Sequence, residues 1–188
     1  MKINLKRATK ETSIDVTLDL YGKGEYEIDT GIGFFNHMLE AFSKHSCIDL
    51  QIKAKGDLDV DFHHTVEDVG IVLGQAFKKA LENKAIARYG YAAIPMDEAL
   101  VLSSVDICNR AYLNYDCRLL GNIGNFDSEL IEEFFKAFVN NAFIVLHIKQ
   151  LYGTNKHHIA EATFKSFAYS IKMAIKPSSE VMSTKGTL

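Results

Sequence analysis

Seven histidines are spread through the 188-residue chain, and four of them stand as two adjacent pairs, His63-His64 and His157-His158. Each pair opens the same short pattern, H-H-x-x-E, closed by Glu67 in the first copy and Glu161 in the second. Residues three and four apart share a helix face, so either histidine can approach its glutamate. Adjacent histidines project about 100° apart on a helix, so they are poorly placed to chelate one ion together. Two copies of the pattern therefore suit two metal ions that share four imidazoles and two carboxylates. Such donors suit Mn²⁺, Fe²⁺ or Zn²⁺, and no thiolate pattern competes with them. One copy alone reads as a solvated helix start; repetition makes it a candidate metal centre.

The elements that must carry these residues repeat as well. Ile14, Val16, Leu18 and Leu20 alternate with polar residues as a half-buried strand does. After Thr30-Gly31-Ile32-Gly33 the period becomes helical through Phe34, Phe35, Met38, Leu39 and Phe42. A strand follows over 48–54, then a helix over about 64–81. Two or three strands are expected within 88–118, a helix over roughly 127–142, a strand over 143–149 and a last helix over about 158–175. An offset of 96 sets Ala41-Phe42 on Ala137-Phe138 and Leu50-Gln51-Ile52-Lys53 on Leu146-His147-Ile148-Lys149. An offset of 94 sets the first H-H-x-x-E on the second, which fits a loop two residues shorter before the second pair.

This register proposes further ligands. His37, on the helix before the first pair, has Glu133 as its counterpart, whereas His147 falls on Gln51 within a strand. Glu133 is therefore preferred to His147, although it also reads as a surface carboxylate beside Glu132. His45 aligns with Asn141 and is either a substrate contact or a polar helix end.

Composition narrows the setting. Apolar residues make up 47% and charged residues 24%, as in an ordinary globular domain, and this length can bury a core without disulfides. A net charge of -3 and a pI near 6.2 argue against a nucleic-acid binder led by a basic face. No apolar run has the roughly 18 residues of a membrane span. Met1-Lys2-Ile3-Asn4-Leu5-Lys6-Arg7 lacks the apolar core of a signal peptide. Cys47, Cys108 and Cys117 match no metal or redox spacing and read as small hydrophobes in a reducing cytoplasm.

Longer segments resemble the imidazoleglycerol-phosphate dehydratases. They are Thr30-Gly31-Ile32-Gly33-Phe34-Phe35-Asn36-His37-Met38-Leu39, Asp61-Phe62-His63-His64-Thr65-Val66-Glu67-Asp68-Val69-Gly70 and His157-His158-Ile159-Ala160-Glu161-Ala162-Thr163-Phe164-Lys165. Arg88-Tyr89-Gly90, Pro95-Met96-Asp97-Glu98 and Ser183-Thr184-Lys185-Gly186 extend the likeness over nearly the whole chain. The resemblance implies an α+β fold of two similar sheet-plus-helices halves (ribosomal protein S5 domain 2-like), about 1–92 and 93–188, packed as one domain. It implies a cytoplasmic enzyme of histidine biosynthesis built from trimers into a 24-subunit shell. Two Mn²⁺ ions would lie in each active site at subunit interfaces.

Residue by residue, the resemblance makes His37, His63, His64, Glu67, His157, His158 and Glu161 metal ligands. Position 133 is a histidine ligand in some members and Glu133 here, which leaves the second ligand set open. Glu11 matches a carboxylate assigned acid/base work. Arg88, Arg110, Lys165, Ser183, Thr184 and Lys185 match positions around the substrate and its phosphate, where guanidinium, ammonium and hydroxyl groups suit a phosphate monoester. The proton to be lost sits on a carbon with no adjacent carbonyl, so direct abstraction would be slow. The implied route is a metal-stabilised imidazolate that expels the neighbouring hydroxyl to give a diazafulvene-like intermediate, then an enol and a ketone. Glu11 and Glu161 would share the proton transfers. A two-metal phosphoesterase and a non-catalytic metal-storage shell are the alternatives for the same donors.

Overall fold

The structure, a computed structural model, describes residues 2–180. The first half opens with the hairpin β1 (Lys2–Ala8) and β2 (Thr12–Asp19). The strand β3 (Tyr26–Asp29), helix α1 (Gly33–Ser46), strand β4 (Asp49–Gly56) and helix α2 (His63–Leu81) follow. The second half runs β5 (Tyr89–Met96), β6 (Ala99–Asp106) and β7 (Tyr112–Asp116), then a two-stranded ribbon, β8 (Asn122–Ile123) and β9 (Phe126–Asp127). Helix α3 (Glu129–Ala142), strand β10 (Val145–Tyr152) and helix α4 (Lys156–Ala174) complete it. The two four-stranded sheets have matching orders, β1-β2-β4-β3 and β5-β6-β10-β7. The expected repeat is present. The hairpins lie 87 residues apart and α1 and α3 lie 96 apart, the difference being absorbed by 117–128 with its short ribbon.

Helix direction follows from this order. β3 pairs parallel with β4, and β7 parallel with β10, so α1 and α3 are crossover helices that run against their strands. Each following helix reverses from the same parallel strand. Both helices of a half therefore point the same way. α1 and α2 cover one face of the first sheet, α3 and α4 one face of the second, and the two layers meet as α1 on α4 and α2 on α3. Contacts show that these pairs are parallel too. Phe34 at the start of α1 meets His157 at the start of α4, and His45 near its end meets Tyr169. Gly70 faces Phe134 and Ala137, and Gly74 faces Phe138 and Asn141. All four helices thus begin at one end of the molecule.

The seam is aromatic. Phe42 stacks on Phe167 at 5.1 Å, Phe35 meets Phe134 edge-on at 5.4 Å, and Phe77 lies 5.5 Å from Phe138. Burying each such ring contributes about 1.5–3 kcal/mol. Small residues let backbones close in: a Cβ on Gly74 would stand 2.6 Å from the Phe138 carbonyl oxygen. Gly90 in β5 is pressed harder, since a Cβ there would overlap the Ser170 carbonyl oxygen of α4.

Gly90→Ala should therefore destabilise the protein by more than about 2 kcal/mol, through overpacking against a backbone that cannot yield. Chemical denaturation measures this. An unchanged midpoint would show that β5 and α4 are not held at this distance.

Candidate functional site

The shared direction of the helices brings the histidine pairs to the end where β3, β4 and β10 terminate. Thr30 is buried, and Asn36 Oδ1 accepts from its N–H at 2.9 Å and its hydroxyl at 2.6 Å, which fixes the turn that presents His37. Asn155 caps α4, its Oδ1 accepting from the N–H of His157 at 3.0 Å and of His158 at 3.4 Å. Asp61 Oδ1 takes the N–H of His63 at 2.7 Å in the same manner.

One set of donors converges. Glu161 Oε1 lies 3.0 Å from His37 Nε2 and 3.1 Å from His157 Nε2, and the three ligand atoms all stand within 4.8 Å of one another. Glu161 is 7% exposed, and Lys165 donates to its other oxygen at 2.5 Å. Burial pushes the Glu161 carboxyl up, but hydrogen bonds from Lys165, His37 and His157 outweigh it and hold the group at about 2. The result is an ionised carboxylate between two imidazoles, a donor set that suits a divalent first-row ion. Among the described residues no other three such side chains form a set this close.

The second member of each pair turns elsewhere, as expected of adjacent helix positions. The His157 and His158 rings stand at 86° and the His63 and His64 rings at 89°. His158 Nδ1 lies 2.6 Å from Glu98 Oε2, and His64 Nδ1 lies 3.0 Å from Asp57 Oδ2 and 4.0 Å from Glu11 Oε2. Asp57 raises the basicity of His64, and Glu98 that of His158. The His158 ring and the N–H of Asn155 in turn hold the Glu98 carboxyl at about 2.

The remaining expected residues divide between the two ends. Lys165 joins the metal cluster and Glu11 joins His64. His45 lies further along the α1–α4 seam against Tyr169, where burial and the Lys165 charge lower its basicity. His63 lines an open cleft of 280 Å³ with Asp127, Glu129 and Leu130. Glu67 is half-buried on α2, and Glu133 on α3 lies 3.5 Å from Lys136, so these two and His63 do not close as His37, His157 and Glu161 do. His147 stands on the outer face of β10 beside Tyr112.

Arg88 and Arg110 lie elsewhere. Both guanidinium groups gather on Asp106, Arg88 at 2.7 Å and Arg110 at 3.8 Å, and the Arg88 N–H reaches Ala174, the last residue of α4. The helix separates them from His157 by about 25 Å. Ser183, Thr184 and Lys185 lie outside the described residues. Asp57 and Glu98 received no role from sequence. The signal for Glu98 was available, since it precedes β6 as Glu11 precedes β2.

Residues 30–171 match the family model described as imidazoleglycerol-phosphate dehydratase. The chain belongs to that family. It is 53% identical over 189 residues to the imidazoleglycerol-phosphate dehydratase of Clostridium kluyveri, covering 98% of this chain and 97% of that one. The corresponding protein of Hydrogenobaculum is 54% identical over 190 residues, covering 100% and 99%. The crystal structure of the Staphylococcus aureus dehydratase superposes with a TM-score of 0.87 at 39% identity, over 95% of this chain and all of that one. The Pyrococcus furiosus structure gives 0.87 at 42% identity, over 98% and 100%. The chain is accordingly a carbon–oxygen lyase of the hydro-lyase class. Among the described residues no helix is long and apolar enough to cross a membrane.

The ion pairs of Glu161 carry a pH signature in the metal-free protein. Folding favours the ionised form, so its stabilisation is complete above the usual carboxylate range near 4.5 and is lost as pH falls from there towards about 2. Glu161→Gln should cost roughly 1–3 kcal/mol near neutral pH, and the gap from the unaltered protein should close on acidification. Melting curves between about pH 6 and pH 2.5 test this; a gap that stays constant would show that Glu161 is not held ionised by its neighbours.

Proposed function

We propose that this chain dehydrates imidazoleglycerol phosphate to imidazole acetol phosphate, a step of histidine biosynthesis, with divalent metal held by the histidine and glutamate side chains at the helix starts. The observation that carries the reading is the convergence of His37, His157 and Glu161 beside Lys165, in a chain of the dehydratase family. Mn²⁺ suits imidazole and carboxylate donors without thiolate. The repeat supports a second ion, and His63, His64, Glu67, Glu133 and His158 are the further ligands assigned between the two ions. Three unpaired cysteines fit a reducing cytoplasm.

Bound metal would supply Lewis acidity that stabilises a deprotonated, electron-rich substrate ring. The chain's own residues then carry the bond changes. The C–O bond on the carbon next to the ring breaks, the C–H on its neighbour is lost, water leaves, and the resulting enol becomes the ketone. Glu161, ionised and bonded to three cations or donors, suits the ligand role, and it shares the proton transfers with Glu11. Glu11, with a side chain 58% exposed beside His64, is the second carboxylate assigned to the proton transfers. Lys165, Arg88, Arg110, Ser183, Thr184 and Lys185 are assigned to substrate and phosphate, and His45 to a substrate contact.

These cations cannot all meet one substrate within a single chain, because Arg88 and Arg110 stand a helix length from the histidines. A second copy supplies the missing part. The outer face of the second sheet supports this: it exposes Tyr89, Tyr91, Ala93, Leu100, Leu102, Val145 and Tyr112 among the polar residues Ser104, His147, Asn114, Lys149 and Asp116. The matching face of the first sheet carries Lys2, Asn4, Lys6, Asp15, Thr17, Gln51 and Lys53. The same architecture with more exposed aromatic and aliphatic surface on the second sheet favours that face for contact with protein. Trimers assembled into a 24-subunit shell are the proposed arrangement.

Purified protein with imidazoleglycerol phosphate and Mn²⁺ should form the acetol phosphate, and a chelator should stop it. Release of inorganic phosphate would favour a phosphoesterase, and no reaction by folded, metal-loaded protein would sink the dehydratase reading. Glu11→Gln should lower kcat by roughly 10²- to 10⁴-fold while metal content stays the same; full activity would remove Glu11 from the chemistry. Tyr91, 67% exposed, stands on the outer face of the edge strand β5. Tyr91→Lys should reduce the assembly mass seen by light scattering and lower activity with it, and an unchanged mass would place the contact elsewhere.

A further inference from the structure

We infer that Glu98 and Asp57 are positioning residues that orient His158 and His64 for metal, and that Asp57 is what leaves Glu11 free for proton transfer. The inference rests on the metal-ligand reading of the two histidines. Both oxygens of Glu98 are committed. Oε2 meets His158 Nδ1 at 2.6 Å, while Oε1 accepts the backbone N–H of Asn155 at 2.7 Å and of Thr154 at 3.2 Å. The carboxylate is thus pinned by the segment that leads into α4. An ionised carboxylate only accepts, so the proton of the neutral ring sits on Nδ1 and the lone pair on Nε2. Asp57 does the same to His64, with its oxygens 3.0 and 3.3 Å from Nδ1.

The repeat shows how the halves divide this task. Glu11 and Glu98 occupy the same place, immediately before β2 and β6, and each lies beside the second histidine of its pair. At the end of β4, Asp57 reaches His64. The matching position after β10 is Gly153, packed so closely on Ala99 that a Cβ would stand 2.6 Å from the Ala99 Cβ. In the second half the hairpin carboxylate orients the histidine, because position 153, the counterpart of Asp57, has no side chain. In the first half Asp57 does so, and Glu11 stays 4.0 Å from the ring, with no backbone N–H of the described residues on its carboxylate. One duplicated carboxylate has become structural and its twin reactive.

Mn²⁺ alone is the probe, titrated by equilibrium dialysis against the full-length assembly. Glu98→Gln keeps one acceptor oxygen for two tasks and should weaken Mn²⁺ binding about 10- to 100-fold. His158→Ala should weaken it at least as much, and the double variant should be no worse than His158→Ala alone, because Glu98 acts through that ring. Multiplying losses, or unchanged affinity in Glu98→Gln, would overturn the assignment. Asp57→Asn with His64→Ala repeats the cycle at a carboxylate that holds no backbone N–H, should Glu98→Gln fail to fold. If His158→Ala and His64→Ala both bind Mn²⁺ normally, the ligand reading itself falls, and the positioning role falls with it.

Discussion

Everything at the site depends on four helices running in one direction. A strand, helix, strand, helix order with parallel β3–β4 and β7–β10 pairs leaves each half no other choice. Packing the halves helix to helix then decides whether the two sets of helix starts meet. They do meet, because the rings of Phe35, Phe42, Phe134, Phe138, Phe164 and Phe167 interlock across the seam and fix its register. Reversing one helix would carry its ligands some 20 Å away. The polar site is therefore held in place by an apolar contact that contains none of its residues.

That geometry also sets the electrostatics. Four helix starts at one end accumulate partial positive charge, which opposes a cation there. The end is accordingly supplied with acceptors: Asp61 and Asn155 on backbone N–H groups, Asp57 and Glu98 on imidazoles, Glu161 between two more. Lys165 shares Glu161 with the two histidines, so a divalent ion at Oε1 competes for the charge that holds the ammonium at Oε2. On the proposed reading, metal binding and the freedom of Lys165 would be coupled through one carboxylate.

The helices, the repeat and the change of loop length before the second histidine pair were legible because each is written in local periodicity or direct alignment. So was the partnership of His157 with Glu161, an i,i+4 pair. His37 was legible only through the repeat and resemblance, since its approach to Glu161 spans 124 residues. The short strand β3 and the β8–β9 ribbon lack enough residues to show a period. Asp57 and Glu98 escaped for another reason. They lie in turns, where no periodicity applies, and their partners are fixed by how hairpin and helix dock. Arg88 and Arg110 show the opposite limit: resemblance named them, yet only the length of α4 reveals how far they stand from the histidines.

Duplication explains what the halves share; their differences motivate the proposed assembly. The helix starts stayed alike, since both must deliver ligands to the same end. The outer sheet faces did not need to match, and they diverged into a charged one and an aromatic one. The arginines gathered on Asp106 sit at the edge of the aromatic face, in the row that runs through Tyr89, Val145 and Tyr112. In the proposed assembly, a copy docked there would bring foreign helix starts toward those guanidinium groups while burying the exposed tyrosines. In that proposal the docking surface is continuous with the arginines, so stability of the oligomer and completeness of the site would be gained in one contact.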